Sequence, residues 1–290
     1  MLLSILNVCR SAAGRAATRV AGWLRAAALL PLLCLPLAHA ATLQLHGARG
    51  SAQLDGAALA AHPQARDIDV PQDVAYGRAM RYRAVPLALV LTELGLTRQD
   101  TLEAVASDGF TAQLPGALVL EGAAAGRSQP WLAIEPADAP WPALPGKAHS
   151  AGPFYLVWPH GEGVASEQWP YAIARLAVQQ APELRWPQIA VAPSLAPQHP
   201  ARRGQAVFIT QCLVCHAMNG GGGATMGPDL NRPLNPVQYF QDAALRRLIR
   251  DPKSVRAWPA QAMPGFSAQQ ISDAQLDDLL AYLAHMAGRR

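Results

Sequence analysis

The stretch FITQCLVCHAMNG, residues 208–220, brings Cys212, Cys215 and His216 into five consecutive positions. Two cysteines this close admit a disulfide, a metal clip or the covalent attachment of a cofactor. The residue after the second cysteine decides. Cys212-Leu213-Val214-Cys215-His216 is the c-type haem attachment pattern, in which two thiols about one helical turn apart add to two vinyl groups on one haem edge and the adjacent imidazole is directed at the iron. A zinc site would need another well-placed Cys or His, and the next histidine is His285.

The flanks extend the pattern in both directions. Upstream, Gly204, Val207, Phe208 and Gln211 recur at helical spacing and lead into the motif. Downstream, Gly227-Pro228-Asp229-Leu230 forms a turn whose proline carbonyl is placed to accept the His216 Nδ1 proton, fixing the ring tautomer. Ser272 and Gln275 read as a capping box, and Leu276, Leu279, Leu280 and Leu283 mark one apolar helical face near the end of the chain.

Residues 201–290 resemble a class I cytochrome c in these features: Gly204 and Phe208 on a first helix, the haem motif, the Gly-Pro-x-Leu turn, and a late methionine before a closing helix bearing Tyr282. The resemblance implies an all-α domain whose first and last helices cross near Gly204 and Tyr282, with one covalent haem c. Gly227 and Pro228 would support it from behind the histidine. Among Met218, Met226, Met263 and Met286, it points to Met263, in the loop sequence QAMPGF, as the second axial ligand beside His216. With both axial positions filled, the domain is expected to transfer electrons and not to activate oxygen.

The other end of the chain differs. Residues 1–40 carry Arg10, Arg15, Arg19 and Arg25 and no acid, then the apolar run AAALLPLLCLPL, then AHA before Ala41. This is the pattern of a cleaved secretory signal, and it predicts periplasmic export with no membrane span in the mature chain. Those four arginines belong to the 24 basic residues set against 20 acidic ones, so residues 41–290 balance to zero formal charge. A neutral mature chain excludes nucleic acid as a partner. Residues 182–200, PELRWPQIAVAPSLAPQHP, hold five prolines and predict an extended, semi-rigid linker between two domains. Before that linker, residues 41–200 hold 10 basic and 14 acidic residues, and after it residues 201–290 hold 10 and 6. The basic sequence DAALRRLIRDPKSVR, 242–256, reads as a solvated helix face or as a docking surface for an acidic partner.

Residues 41–181 read as an α+β, strand-rich domain. TLQLHG is an edge-like strand, VPLALVLTELGL a short amphipathic helix opened by Pro86, and TLEAVASDGFTAQLP two strands around an Asp108-Gly109 type I′ turn. GPFYLVWP and YAIARLAV are further strands. The order of these pieces, closing with EQWPYAIARLAV, resembles the molybdopterin-binding domain of sulfite-oxidase-type oxidoreductases. That family ligates molybdenum through a protein cysteine, and residues 41–211 contain none. Molybdopterin is therefore possible but not as cysteine-ligated molybdenum. Arg81 and His149 are the candidate residues for a surviving pterin cleft; the alternative for Arg81 is a solvated strand face, and for His149 a strand end. No acid–base or nucleophile constellation stands out. The expectation is a periplasmic monohaem cytochrome exchanging single electrons with a periplasmic redox protein. The alternative is a pterin-dependent oxidoreductase passing electrons internally to its haem.

Overall fold

The computed structural model describes residues 41–121, 129–161, 164–224 and 226–289. The expected secretory leader, residues 1–40, lies outside the described residues. Among those described, no helix is long and apolar enough to cross a membrane.

Among the described residues, the first region is built on nine strands: β1 (Thr42–Gly47), β2 (Gly50–Asp55), β3 (Arg66–Val70), β4 (Met80–Pro86), β5 (Thr101–Ala106), β6 (Thr111–Pro115), β7 (Trp131–Ile134), β8 (Phe154–Val157) and β9 (Ile173–Gln179). They form two sheets, in the orders β2-β1-β9-β5-β6 and β3-β4-β7-β8. Among the described strands, only the β1–β9 pair is parallel. Strand β1 alternates, with Leu43 and Leu45 buried and Thr42, Gln44 and His46 exposed, the two-residue period of a strand with one face on a core. It is not an edge, because β2 folds back along it in register from Thr42–Asp55 to Gly47–Gly50. Strands β7 and β8, WLAI and FYLV, are buried along their whole length. The helix Leu87–Leu94 starts after Pro86 and stops at Gly95, whose φ of +70° is the left-handed cap that glycine allows.

The β5–β6 hairpin forms as expected, but its turn is not type I′. That turn needs positive φ at both central residues. Here Gly109 alone has it, at +90°. The loop spans Ser107–Phe110, closed by Ala106 N–H to the Phe110 carbonyl at 2.9 Å. Asp108 Oδ1 accepts from Phe110 N–H at 3.0 Å, so the aspartate shapes the turn through its side chain.

The second region is helical. The helix Pro200–Val207 runs straight into one wide π turn, Phe208–Cys212, closed by the five-residue bond from Leu213 N–H to the Phe208 carbonyl at 2.8 Å. The helix Asp242–Arg250 and the closing helix Asp273–Ala287 follow. Ser272 and Gln275 make the capping box, and Leu276, Leu279, Leu280 and Leu283 are all buried. The first and last helices cross where Gly204 lies against the Asp278 carbonyl; a methyl group at 204 would overlap that carbonyl and come within 2.8 Å of Tyr282 Cβ. Phe208 packs on Tyr282 with ring centroids 5.2 Å apart.

The proline-rich stretch 182–200 is not an extended spacer. It opens with the helical turns Pro182–Arg185 and Pro187–Ile189, and Ile189 and Val191 sit inside the second hydrophobic core. Its carbonyls, left without a ladder, find side-chain donors: Arg202 bonds those of Ala192, Pro193, Leu195 and Ala196, and Tyr282 Oη donates to Ile189 at 2.7 Å. Upstream, Arg185 bonds the buried Glu103 of β5 at 2.5 Å, with Arg175 of β9 at 3.5 Å on the other carboxylate oxygen. The segment is thus fixed to both regions.

Gly204→Val should lower unfolding free energy by about 1–3 kcal/mol or more through overpacking of the crossing, although valine is a better helix former than glycine. Urea denaturation of the two proteins measures it, and equal midpoints would refute the close crossing.

Candidate functional site

The π turn delivers the motif. Cys215 N–H and His216 N–H both bond the Cys212 carbonyl, at 3.0 and 2.8 Å, so Cys212 to His216 forms one helical turn. That turn sets the two thiols on neighbouring positions and the imidazole just beyond them. Cys212 and Cys215 are free thiols. Cys212 is enclosed enough that burial pushes its thiol up to about 12, and burial raises Cys215 as well. Both thiols are half-buried, and a raised pKa disfavours the thiolate that redox exchange requires. Among the described residues, no three His, Cys, Asp or Glu side chains converge to hold a metal ion by themselves.

The loop after the motif folds back onto it. Gly227 N–H bonds the Cys215 carbonyl and Leu230 N–H bonds the Ala217 carbonyl, each at 2.8 Å. This closure brings the Pro228 carbonyl to 2.8 Å from His216 Nδ1. With the proton on Nδ1, the ring donates to Pro228 and leaves Nε2 as the free ligand atom. Burial lowers the His216 pKa and the Pro228 bond raises it, with burial the larger effect; the ring is therefore neutral, as a metal ligand must be. Gly227 lies flat against the imidazole, and a Cβ there would sit 2.5 Å from Cε1 and 2.6 Å from Nδ1. Only glycine fits this cradle, and Gly227 and Pro228 both support the histidine.

Of the four methionines, Met218 and Met286 are fully buried in the helical core and Met226 is 57% exposed. Met263 is partly buried in a loop and packs on the same core. The segment after it is tied down by the helix Asp242–Arg250. Phe266 N–H bonds the Ile249 carbonyl at 3.0 Å, and Arg250 Nη1 reaches the carbonyls of Phe266, Ser267 and Ile271 at 3.0, 3.1 and 2.6 Å.

Several supports carry no sequence signature. Asp229 accepts from the N–H groups of Asn219, Gly220 and Asn231 at 3.1, 2.6 and 2.8 Å. Buried Asn231 then bonds Asn219 Oδ1 at 2.7 Å and the Met286 carbonyl at 2.8 Å, and receives Asn235 at 3.0 Å. This network ties the proline turn to the end of the closing helix. The glycine run at 220–223 is shaped: Met218 and Gly221 exchange two backbone bonds of 2.9 Å, with Gly220 and Gly222 at positive φ. In the basic sequence, Arg246 pairs with Asp242 and Asp277 and Arg250 with Asp273, while Arg247, Lys253 and Arg256 are exposed.

The candidate pterin residues lie elsewhere and apart. Arg81 is on the exposed face of β4 and pairs across the strands with Asp67 and Asp69 of β3, at 3.7 and 3.9 Å. His149 is on an exposed loop and its Nδ1 lies 2.9 Å from the Ser150 carbonyl. Tyr76 and Tyr155 belong to the core, where Asp73 accepts from Tyr76 N–H and Tyr82 Oη at 2.8 Å each and from Tyr155 Oη at 3.3 Å.

The two crossing helices, the wide turn and the histidine cradle define a domain built to hold a covalent haem. The family model described as Cytochrome c matches residues 201–287, and this part of the chain is a cytochrome c domain, which implies covalently bound haem c. No curated protein matches the chain. The family match lies wholly in the helical region, and the sulfite-oxidase-type likeness of the first region rests on its sequence pattern.

Gly227→Ala should displace the His216 ring and cut the yield of covalently loaded protein severalfold relative to wild type, read by haem staining of denatured samples. A normal yield with an unchanged haem spectrum would show that the cradle tolerates a methyl group.

Proposed function

We propose that this chain is a periplasmic monohaem c-type cytochrome that moves single electrons between a periplasmic redox protein and an acceptor. Its first domain is a degenerate relative of the pterin-binding domain, kept for docking or ligand binding. The observation that carries the reading is the His216 Nδ1 to Pro228 bond of 2.8 Å inside a Cys-x-x-Cys-His turn. Bound haem supplies a one-electron iron couple. The chain's own residues would hold it: Cys212 and Cys215 through thioethers, His216 through Nε2 and Met263 through its sulfur. A sulfur ligand opposite histidine favours the ferrous state and a high potential. The arginine-rich, apolar leader and the small residues before Ala41 support export.

A second reading, a pterin-dependent oxidoreductase feeding its own haem, has the sequence pattern of the first region in its favour. The cavity of about 120 Å³ beside Phe110, Glu167 and Trp169 is too small to hold a pterin, since cofactor pockets run to roughly 300 Å³ or more. Elemental analysis separates the two readings. Iron at one per mature chain with negligible molybdenum supports the cytochrome, and molybdenum equal to iron supports the oxidoreductase.

Met263→Ala should abolish the near-infrared charge-transfer absorption of methionine-ligated ferric haem and lower the reduction potential, while Met226→Ala changes neither. An unaltered spectrum in Met263→Ala would move the ligand assignment to another residue. Arg81→Ala should leave electron transfer to a small-molecule acceptor at the wild-type rate, measured by stopped-flow oxidation of the ferrous protein.

A further inference from the structure

The boundary between the two domains passes directly beside the haem motif. The short helix Ser166–Gln168 and strand β6 of the first domain pack on the turn Phe208–Cys212. A polar chain crosses there. Gln211, the residue before Cys212, donates Nε2 to the Gln270 carbonyl at 3.4 Å. Gln270 Nε2 donates to Ser166 Oγ at 3.2 Å, and Ser166 Oγ donates to Glu167 Oε1 at 3.3 Å. Glu167 lies on the short helix Ser166–Gln168 that packs on the turn Phe208–Cys212, and it lines one small cavity together with Ser166 and Asp108. Glu167 is thus the carboxyl group that the first domain brings beside the turn bearing Cys212, with Asp108 across the same cavity. The arrangement is held from a second side by Arg185 on Glu103, so it is a fixed contact and not a passing encounter.

We infer that the first domain forms the wall of the haem site along its cysteine edge, with Glu167 as a potential-setting carboxylate supplied from outside the cytochrome domain. This inference rests on the cytochrome reading above. Thioether formation at Cys212 and Cys215 places that haem edge against the Glu167 side of the boundary. A carboxylate fixed there favours the more positive ferric state. Glu167 is half-buried, so its field is weakened less by water and by salt than that of a fully exposed charge. The wall also covers this edge, so an external redox protein must approach the cytochrome from another side. Glu167 touches no reacting atom and acts as a positioning residue for charge.

The test is a spectroelectrochemical titration of the full-length, haem-loaded protein at mildly alkaline pH, where a half-buried carboxyl is ionised. Glu167→Gln should raise the reduction potential, giving a severalfold higher ferrous-to-ferric ratio at fixed ambient potential, and the shift should persist at high ionic strength. Asp108→Asn should give a smaller rise in the same direction and serves as the second variant if Glu167→Gln loads haem poorly. Asp69→Asn, on exposed β3 of the other sheet, should leave the potential unchanged. An unchanged potential in both Glu167→Gln and Asp108→Asn with a normal haem spectrum overturns the wall while leaving the cytochrome standing. A shift erased by salt also overturns it, since the domains would then interact through solvent. Failure of the wild-type chain to bind covalent haem overturns the cytochrome reading and this inference with it.

Discussion

Everything in the helical region depends on how closely two helices approach at Gly204. With no side chain there, the helix Pro200–Val207 lies directly on the Asp278 carbonyl of the closing helix. That contact fixes the axis along which the chain enters the motif, and the stacking of Phe208 on Tyr282 fixes its rotation. The π turn then advances the chain by five residues for one hydrogen bond, and Cys212, Cys215 and His216 follow from it in order. A larger residue at 204 would push the helices apart and displace all three, so one missing methyl group governs the placement of the whole donor set.

The histidine is held by a second constraint of the same kind. Gly227 allows the backbone to lie on the imidazole face, and the next carbonyl, that of Pro228, is thereby brought to Nδ1. Asp229, Asn219, Asn231 and Asn235 lock the turn to the end of the closing helix. The ligand's tautomer is consequently set by the same closing helix that sets the crossing. Buried polar networks of this sort are satisfied at every member and are sensitive to the loss of any one.

Much of the site was legible because its chemistry is local. Cys212, Cys215, His216 and Pro228 lie within 17 residues, and their roles follow from spacing and from the one proton a neutral imidazole donates. The closing helix was legible from its capping box and its leucines for the same reason. Strand β1 was recognised as a strand but not as an interior one, because its partners β2 and β9 come from opposite ends of the domain. Asp108-Gly109 was recognised as a turn, but its type depends on the φ of Asp108, which the dipeptide does not dictate. The proline-rich stretch reads as a spacer because two of its anchors, Glu103 and Tyr282, are distant in sequence.

By itself, then, the amino-acid sequence determined the Cys-x-x-Cys-His motif and the roles proposed for it, the amphipathic closing helix and the strand-rich character of the first region. Each of these is a property of residues within a few turns of one another. Only the tertiary structure decided that Arg81 pairs across two strands on an exposed face, that Arg250 clamps the segment after Met263, and that the helix Ser166–Gln168 packs on the turn bearing Cys212. The physical reason is separation along the chain. A carboxyl group some 45 residues before Cys212 leaves no trace in any local pattern, and Glu167 comes near the motif only because the helix Ser166–Gln168 packs on the turn Phe208–Cys212.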